Sequence, residues 1–85
     1  MIFLLEYDRK QGSIRSLKRF GAVDRAEAQR ERLTLELDLR KLGVSHEVVL
    51  LEAADTEALM RTHERYFKGA RELVESMIQP EPAHP

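Results

Sequence analysis

At 85 residues, with 42% hydrophobic and 34% charged side chains and a formal net charge of −1, the chain has the composition of one small globular domain rather than a disordered segment. It contains no cysteine, which excludes disulfide staples, thiolate metal sites and a cysteine nucleophile and fits a reducing, cytoplasmic setting. The longest apolar runs, IFLL and VVLL, are far too short to span a bilayer, and the start MIFLLEYDRK has neither the basic lead nor the small-residue cleavage site of a signal peptide, so no membrane partner is expected.

Taken in chain order, MIFLLEY is a compact apolar run that reads as a buried strand. The following DRKQGS is polar and carries Gly12, which suits a turn. SIRSLKRF reads as a second strand whose lysine and arginines fit a protected sheet edge. Its Ile14, Leu17 and Phe20 do not share one period-two face, which points to a bulge. The two strands form a hairpin.

The next stretch sets two signals against each other. Leu33, Leu35, Leu37 and Leu39 alternate with polar residues as a half-buried strand would. Yet Asp24 followed by Glu27 has the spacing of a capping box. From Arg25 to Leu42 there is no Gly or Pro, and Thr34 is the only β-branched residue. Glu36 precedes Arg40 by four, and Gly43 stands where a helix closes in a left-handed residue, behind Arg40 and Lys41 in the last turn. The helix wins. At about 100° per residue, Ala28, Leu35, Leu39 and Leu42 gather on one side and Ala22, Ala26, Leu33 and Leu37 on nearly the opposite one. One stripe can lie on a sheet; the other needs a further helix or a second subunit.

VSHEVVLLEAA reads as a third strand, and Asp55 or Thr56 caps a second helix running from Glu57 toward Gln79. Leu59, His63, Tyr66, Ala70, Leu73 and Met77 follow a 4-3-4-3-4 spacing along it, with Gly69 as a weak point. The expected fold is therefore α+β in the order β-β-α-β-α. It has a three-stranded antiparallel-type sheet of order 2-1-3, a split β-α-β arrangement, with two helices on one face. Residues 1–79 form this single domain, and the proline-rich end, 80–85, is a disordered tail.

With both helices on one side, Phe3, Leu5, Val49, Leu51 and Ala53 would be covered. Ile2, Leu4, Val48 and Leu50 would then lie on an open sheet face beside Glu6, His46 and Glu52. Exposed aliphatics on that scale, together with the second leucine stripe, argue for a homodimer.

Chemistry is sparse. The four glycines are isolated at 12, 21, 43 and 69, so there is no phosphate loop. No Gly-x-Ser-x-Gly elbow and no HExxH spacing occurs, and the sequence supports no catalytic residue, metal or cofactor. Two constellations remain as candidate ligand sites. In RTHERYF, Arg61, His63, Arg65 and Tyr66 stand close on one helix, where imidazole and phenol at i and i+3 could hold an anion or exchange a proton. On the expected open sheet face, Glu6, His46 and Glu52 set carboxylates around an imidazole. Against each stands a structural reading: a histidine packed at a core margin, and polar residues scattered over a wet sheet.

Charge supplies a third candidate. Ten of the basic residues and only five acidic ones fall between Arg9 and Lys41. Arg9, Lys10, Arg15, Lys18 and Arg19 on the hairpin could follow nucleic-acid phosphates, although Phe20 is the only aromatic of the second strand available to stack on a base. The reading that accounts for most of the sequence is a small protein-interaction or regulatory accessory domain. It acts as a homodimer toward a protein partner the sequence does not specify.

Overall fold

The structure is a computed structural model that describes residues 1–67 and 78–79. Its elements are β1 (Ile2–Asp8), β2 (Ser13–Phe20), a 3-10 turn at Ala22–Asp24, α1 (Arg25–Lys41), β3 (Glu47–Glu52), α2 (Thr56–Thr62), α3 (Glu64–Phe67) and β4 (Ile78–Gln79). β1 pairs antiparallel with both β2 and β3, so the expected α+β sheet of order 2-1-3 is present. β4 adds to it. It lies parallel to β2 at Leu17 and Lys18, making the full order β3-β1-β2-β4. β2 is therefore an inner strand, not the edge its basic residues suggested.

The hairpin closes on local chemistry. Asp8 Oδ1 accepts from the backbone N–H groups of Lys10 and Gln11 at 2.9 and 3.1 Å, the pattern of an Asx turn. Gly12 supplies the left-handed residue at φ 64°. The bulge is real: the register passes from Glu6↔Ser16 to Tyr7↔Ile14, leaving Arg15 as the extra residue. Ile14 and Leu17 thereby face the same side despite a spacing of three, and Phe20 faces the other.

The helices do not share one face, and here the expectation is corrected. Phe3, Leu5, Ile14, Leu17 and their strand neighbours pack with Leu59, Met60, Tyr66 and Phe67 of α2 and α3. Ile2, Leu4 and Phe20 pack with Ala28 of α1. The reason lies in β1, where the unbroken IFLL run makes both faces of the central strand apolar, and a strand of that kind needs cover on both sides. Ile2 and Leu4, expected in the open, retain only 1% and 5% exposure.

α1 closes in the way its sequence requires. Gly43 sits at φ 69°; its N–H donates to Arg40 O (3.1 Å) and that of Val44 to Leu39 O (2.9 Å), a Schellman closure. At the other end the expected capping box is absent, because Asp24 belongs to the preceding 3-10 turn and its side chain makes no cap hydrogen bond.

The second helix is shorter than its periodicity predicts. Asp55 caps it, accepting from Ala58 N at 2.8 Å, but it ends at Thr62 with His63 at φ −126°, and α3 follows as a separate turn. Thr62 Oγ1 donates back to Ala58 O at 2.8 Å, a bond that bends helices. The break thus falls at His63. Gly69, the rest of the predicted stripe and the 80–85 tail lie outside the described residues, while Ile78 and Gln79 are strand rather than helix.

Candidate functional site

Two polar residues at the entry to β3, His46 just before the strand and Glu47 its first residue, point to opposite faces of the sheet, and each gathers a cluster. His46 shares the α1 side with the even-numbered residues of β1. Its Nδ1 lies 2.6 Å from Glu6 Oε2, and its Nε2 lies 3.5 Å from Asp8 Oδ2. Ser16 Oγ donates to the other Glu6 oxygen at 3.3 Å. The side chains of His46, Glu6 and Asp8 are 13–16% exposed. Asp8 is held below the usual carboxylate range, chiefly by the N–H of Gln11, with Lys10, His46 and Arg15 adding to the effect.

Glu47 faces the α2–α3 side next to Tyr7. Its carboxylate accepts from Arg9 Nε (3.1 Å), from Arg65 (2.7 and 3.0 Å) and from the Tyr66 hydroxyl. The Tyr66 oxygen in turn accepts from Arg65 at 2.6 Å, and the guanidinium lies over the Tyr66 ring, 4.4 Å from its centroid. Tyr7 meets Tyr66 edge-on at 5.0 Å, a favoured aromatic geometry. The Tyr66 hydroxyl, followed by the two arginines, pulls Glu47 below the ordinary carboxylate value. Burial and the adjacent Glu47 charge push Tyr66 above that of a free phenol.

These clusters divide the residues singled out from sequence. Of the first constellation, Arg65 and Tyr66 come together, though around Glu47. His63 sits half-buried at the α2–α3 break and Arg61 is exposed, neither joining them. Of the second, Glu6 and His46 come together, on the side of the sheet that α1 covers rather than on an open face. Glu52 lies at the far end of β3, where it pairs with Arg25. The basic hairpin residues are dispersed: Arg9 serves Glu47, Lys18 reaches Glu31 at 2.7 Å, and Lys10 and Arg15 stay exposed. Arg19 is half-buried, its Nε without a partner among the described residues. Lys18 and Arg19 point to opposite faces of the sheet, so the five do not form one phosphate-tracking surface.

Glu47 and Asp8 are the residues that sequence reasoning missed. Residue parity carries the signal: Asp8 continues the face of Glu6, and Glu47 the face of Tyr7. Chemically, both oxygens of Glu47 are occupied by donors, and both ring nitrogens of His46 face carboxylates. The clusters consequently hold the start of β3 to the end of β1 more than they present a free acid or base. Among the described residues, no group of three or more His, Asp or Glu could hold a metal ion.

Among the described residues, shallow grooves lie on either side of α1. One, of about 480 Å³, runs between α1 and β2 over Leu4, Ser16 and Lys18. The other, of about 470 Å³, runs along β3 between Leu39 and Arg40 of α1 and His46 and Val48. No family model, curated protein or solved structure matches the chain. Among the described residues no helix is long and apolar enough to cross a membrane.

Proposed function

We propose that this chain is a small protein-interaction domain that works as a homodimer in a cytoplasmic setting, offering the outer face of α1 to a protein partner. The observation that carries the reading is the outer stripe of that helix. Leu33 and Leu37 are 52% and 45% exposed although both faces of the sheet are already covered. Arg30 and Arg40 flank them on the same side of the helix. An apolar strip rimmed by charge is the usual make-up of a contact surface. Neither polar cluster competes with it, since each spends its polar atoms within the chain.

Two measurements test this. Light scattering over a dilution series at two salt concentrations should give twice the chain mass. The double variant Leu33→Glu/Leu37→Glu should keep the circular dichroism and melting temperature of the parent, because leucines held for contact contribute little to the isolated fold. A monomer at every concentration would remove the homodimer. A double variant that unfolds would make the stripe part of the core and remove the contact surface.

A further inference from the structure

The sheet has two edges, and they are treated differently. At one, β4 lies against β2. At the other is β3, whose ladder runs to β1 without a bulge and whose outer rim has no hydrogen-bond partner among the described residues. Natural edge strands are blunted by lysine, proline, a bulge or shortness. The six residues of β3, EVVLLE, show none of these inside the strand. Both faces of the sheet being covered, this rim is open to another strand arriving edge-on.

The backbone defines how such a strand can pair. Ala53 N donates to Met1 O, and Met1 N to Ala53 O, so odd residues at this end of the β1–β3 ladder point their N–H and C=O groups inward. By alternation, Val48, Leu50 and Glu52 point theirs outward. An antiparallel copy of β3 must then set even residues opposite even ones. The pairing that would face Glu47 with Glu52 is excluded on this ground. With Val49 opposite Val49 of the second copy, Val48 meets Leu50, Glu47 meets Leu51 and Glu52 meets His46. Carboxylate never stands opposite carboxylate along the ladder.

Side-chain space agrees with that register. The groove of about 470 Å³ along β3 has Leu39 and Val48 as apolar walls and the exposed Arg40 as its cation, its Glu36 being held by Arg32 and its His46 by Glu6 and Asp8. In this pairing it lies next to Leu50 and Glu52 of the second copy. Glu52 can reach it, being 61% exposed at its side chain and tied, among the described residues, to Arg25, itself 55% exposed. Because β4 occupies the other edge, association ends at two copies instead of growing into a filament.

We propose that two copies pair their β3 strands antiparallel about Val49, joining their sheets edge to edge and seating each Glu52 carboxylate beside Arg40 of the other. This rests on the homodimer reading and gives it a geometry that leaves Leu33 and Leu37 free for a partner.

A single thiol tests it, since the chain has no cysteine. Val49→Cys places two thiols opposite each other in a non-hydrogen-bonded antiparallel pair, where Cα atoms approach to about 4.5 Å, within disulfide range. Mild oxidation at low concentration should convert it to covalent dimer, while Leu33→Cys should stay uncross-linked. A dimer by light scattering that cross-links through Leu33→Cys or through neither position overturns the edge pairing and leaves the homodimer standing. A monomer by light scattering removes both. Where Val49→Cys does not fold, Glu52→Arg should weaken self-association about tenfold, with Glu52→Arg/Arg40→Glu restoring it. Failure of either the loss or the rescue overturns the register.

Discussion

Tyr66 has the most consequential side chain of the α2–α3 segment, because one hydroxyl joins the apolar packing to the Glu47 charge cluster. Its pH signature follows from the two opposed displacements. Glu47 lies below its ordinary value of 4.5 in the folded chain, so its contribution is present above that pH and is lost as acid protonates it. Tyr66 lies above its ordinary 10.0, so its contribution is complete below that pH and is lost as alkali ionises it. A melting-temperature profile should therefore be flat near neutrality and fall at both ends. Tyr66→Phe should remove the alkaline fall and weaken the acid tolerance, since the hydroxyl is the largest cause of the Glu47 displacement. At pH 7 it should cost about 1 kcal/mol, or roughly 5 °C in a domain of this size. Glu47→Gln should remove much of the acid fall; an unchanged acid limb would show that Glu47 does not set it. Ala28 tests the other side of the sheet. It is fully buried where α1 meets Ile2, Leu4 and Phe20 of the sheet, so Ala28→Leu should overpack that contact and cost about 1–3 kcal/mol, seen as a lower denaturant midpoint.

The helix ends give a comparison in which sequence and structure part company. Asp24 and Asp55 look alike as caps, yet only Asp55 makes the hydrogen bond. Asp55→Ala should cost about 1 kcal/mol, whereas Asp24→Ala should change stability by only a few tenths. Gly43 at φ 69° should resist Gly43→Ala by about 1 kcal/mol. Chemical denaturation of the three variants ranks them, and equal losses at Asp24 and Asp55 would contradict the cap geometry. The same contrast shows what was legible. Strand positions, the bulge and Gly43 follow from local rules: period two, turn chemistry, left-handed closure; Glu6 and His46, forty residues apart, meet only through the β1–β3 register. The opposite placement of the helices, the end of α2 at Thr62 and the return of Ile78–Gln79 to β2 depend on tertiary packing. For α2 the apolar spacing stays compatible with a longer helix, and nothing in that spacing marks Thr62 as its end. Glu47 was missed for a related reason. Its importance arises from residues far away in sequence, Arg9 and Arg65, which reach it only once the hairpin and α3 are folded.

For the whole molecule the governing feature is asymmetry between the edges of one small sheet. β1 is buried on both faces and flanked on both sides, so it contributes the core; β3 and β4 determine what the molecule can join. β4 has only two residues, but its position on β2 removes one of two sites at which the sheet could extend. On the proposed β3 pairing, that removal confines association to a closed pair. Truncation after Met77 deletes β4 and frees the β2 rim, where Leu17 and Lys18 had been paired. The truncated chain should then have two open edges and, in sedimentation velocity, should form species heavier than a dimer as concentration rises, while the full chain stops at the dimer. A truncated chain matching the parent in mass and melting temperature would show that β4 is not the cap, and the closure of the pair would need another cause. If only melting temperature falls, with mass unchanged, β4 supports the fold without limiting assembly. Adding Leu50→Pro to the truncation separates the two edges further. Leu50 points its N–H to the outer rim of β3, so the substitution removes a donor that the β1 ladder does not use. Growth that survives it proceeds through the β2 edge alone, and growth that stops at a pair or below requires β3.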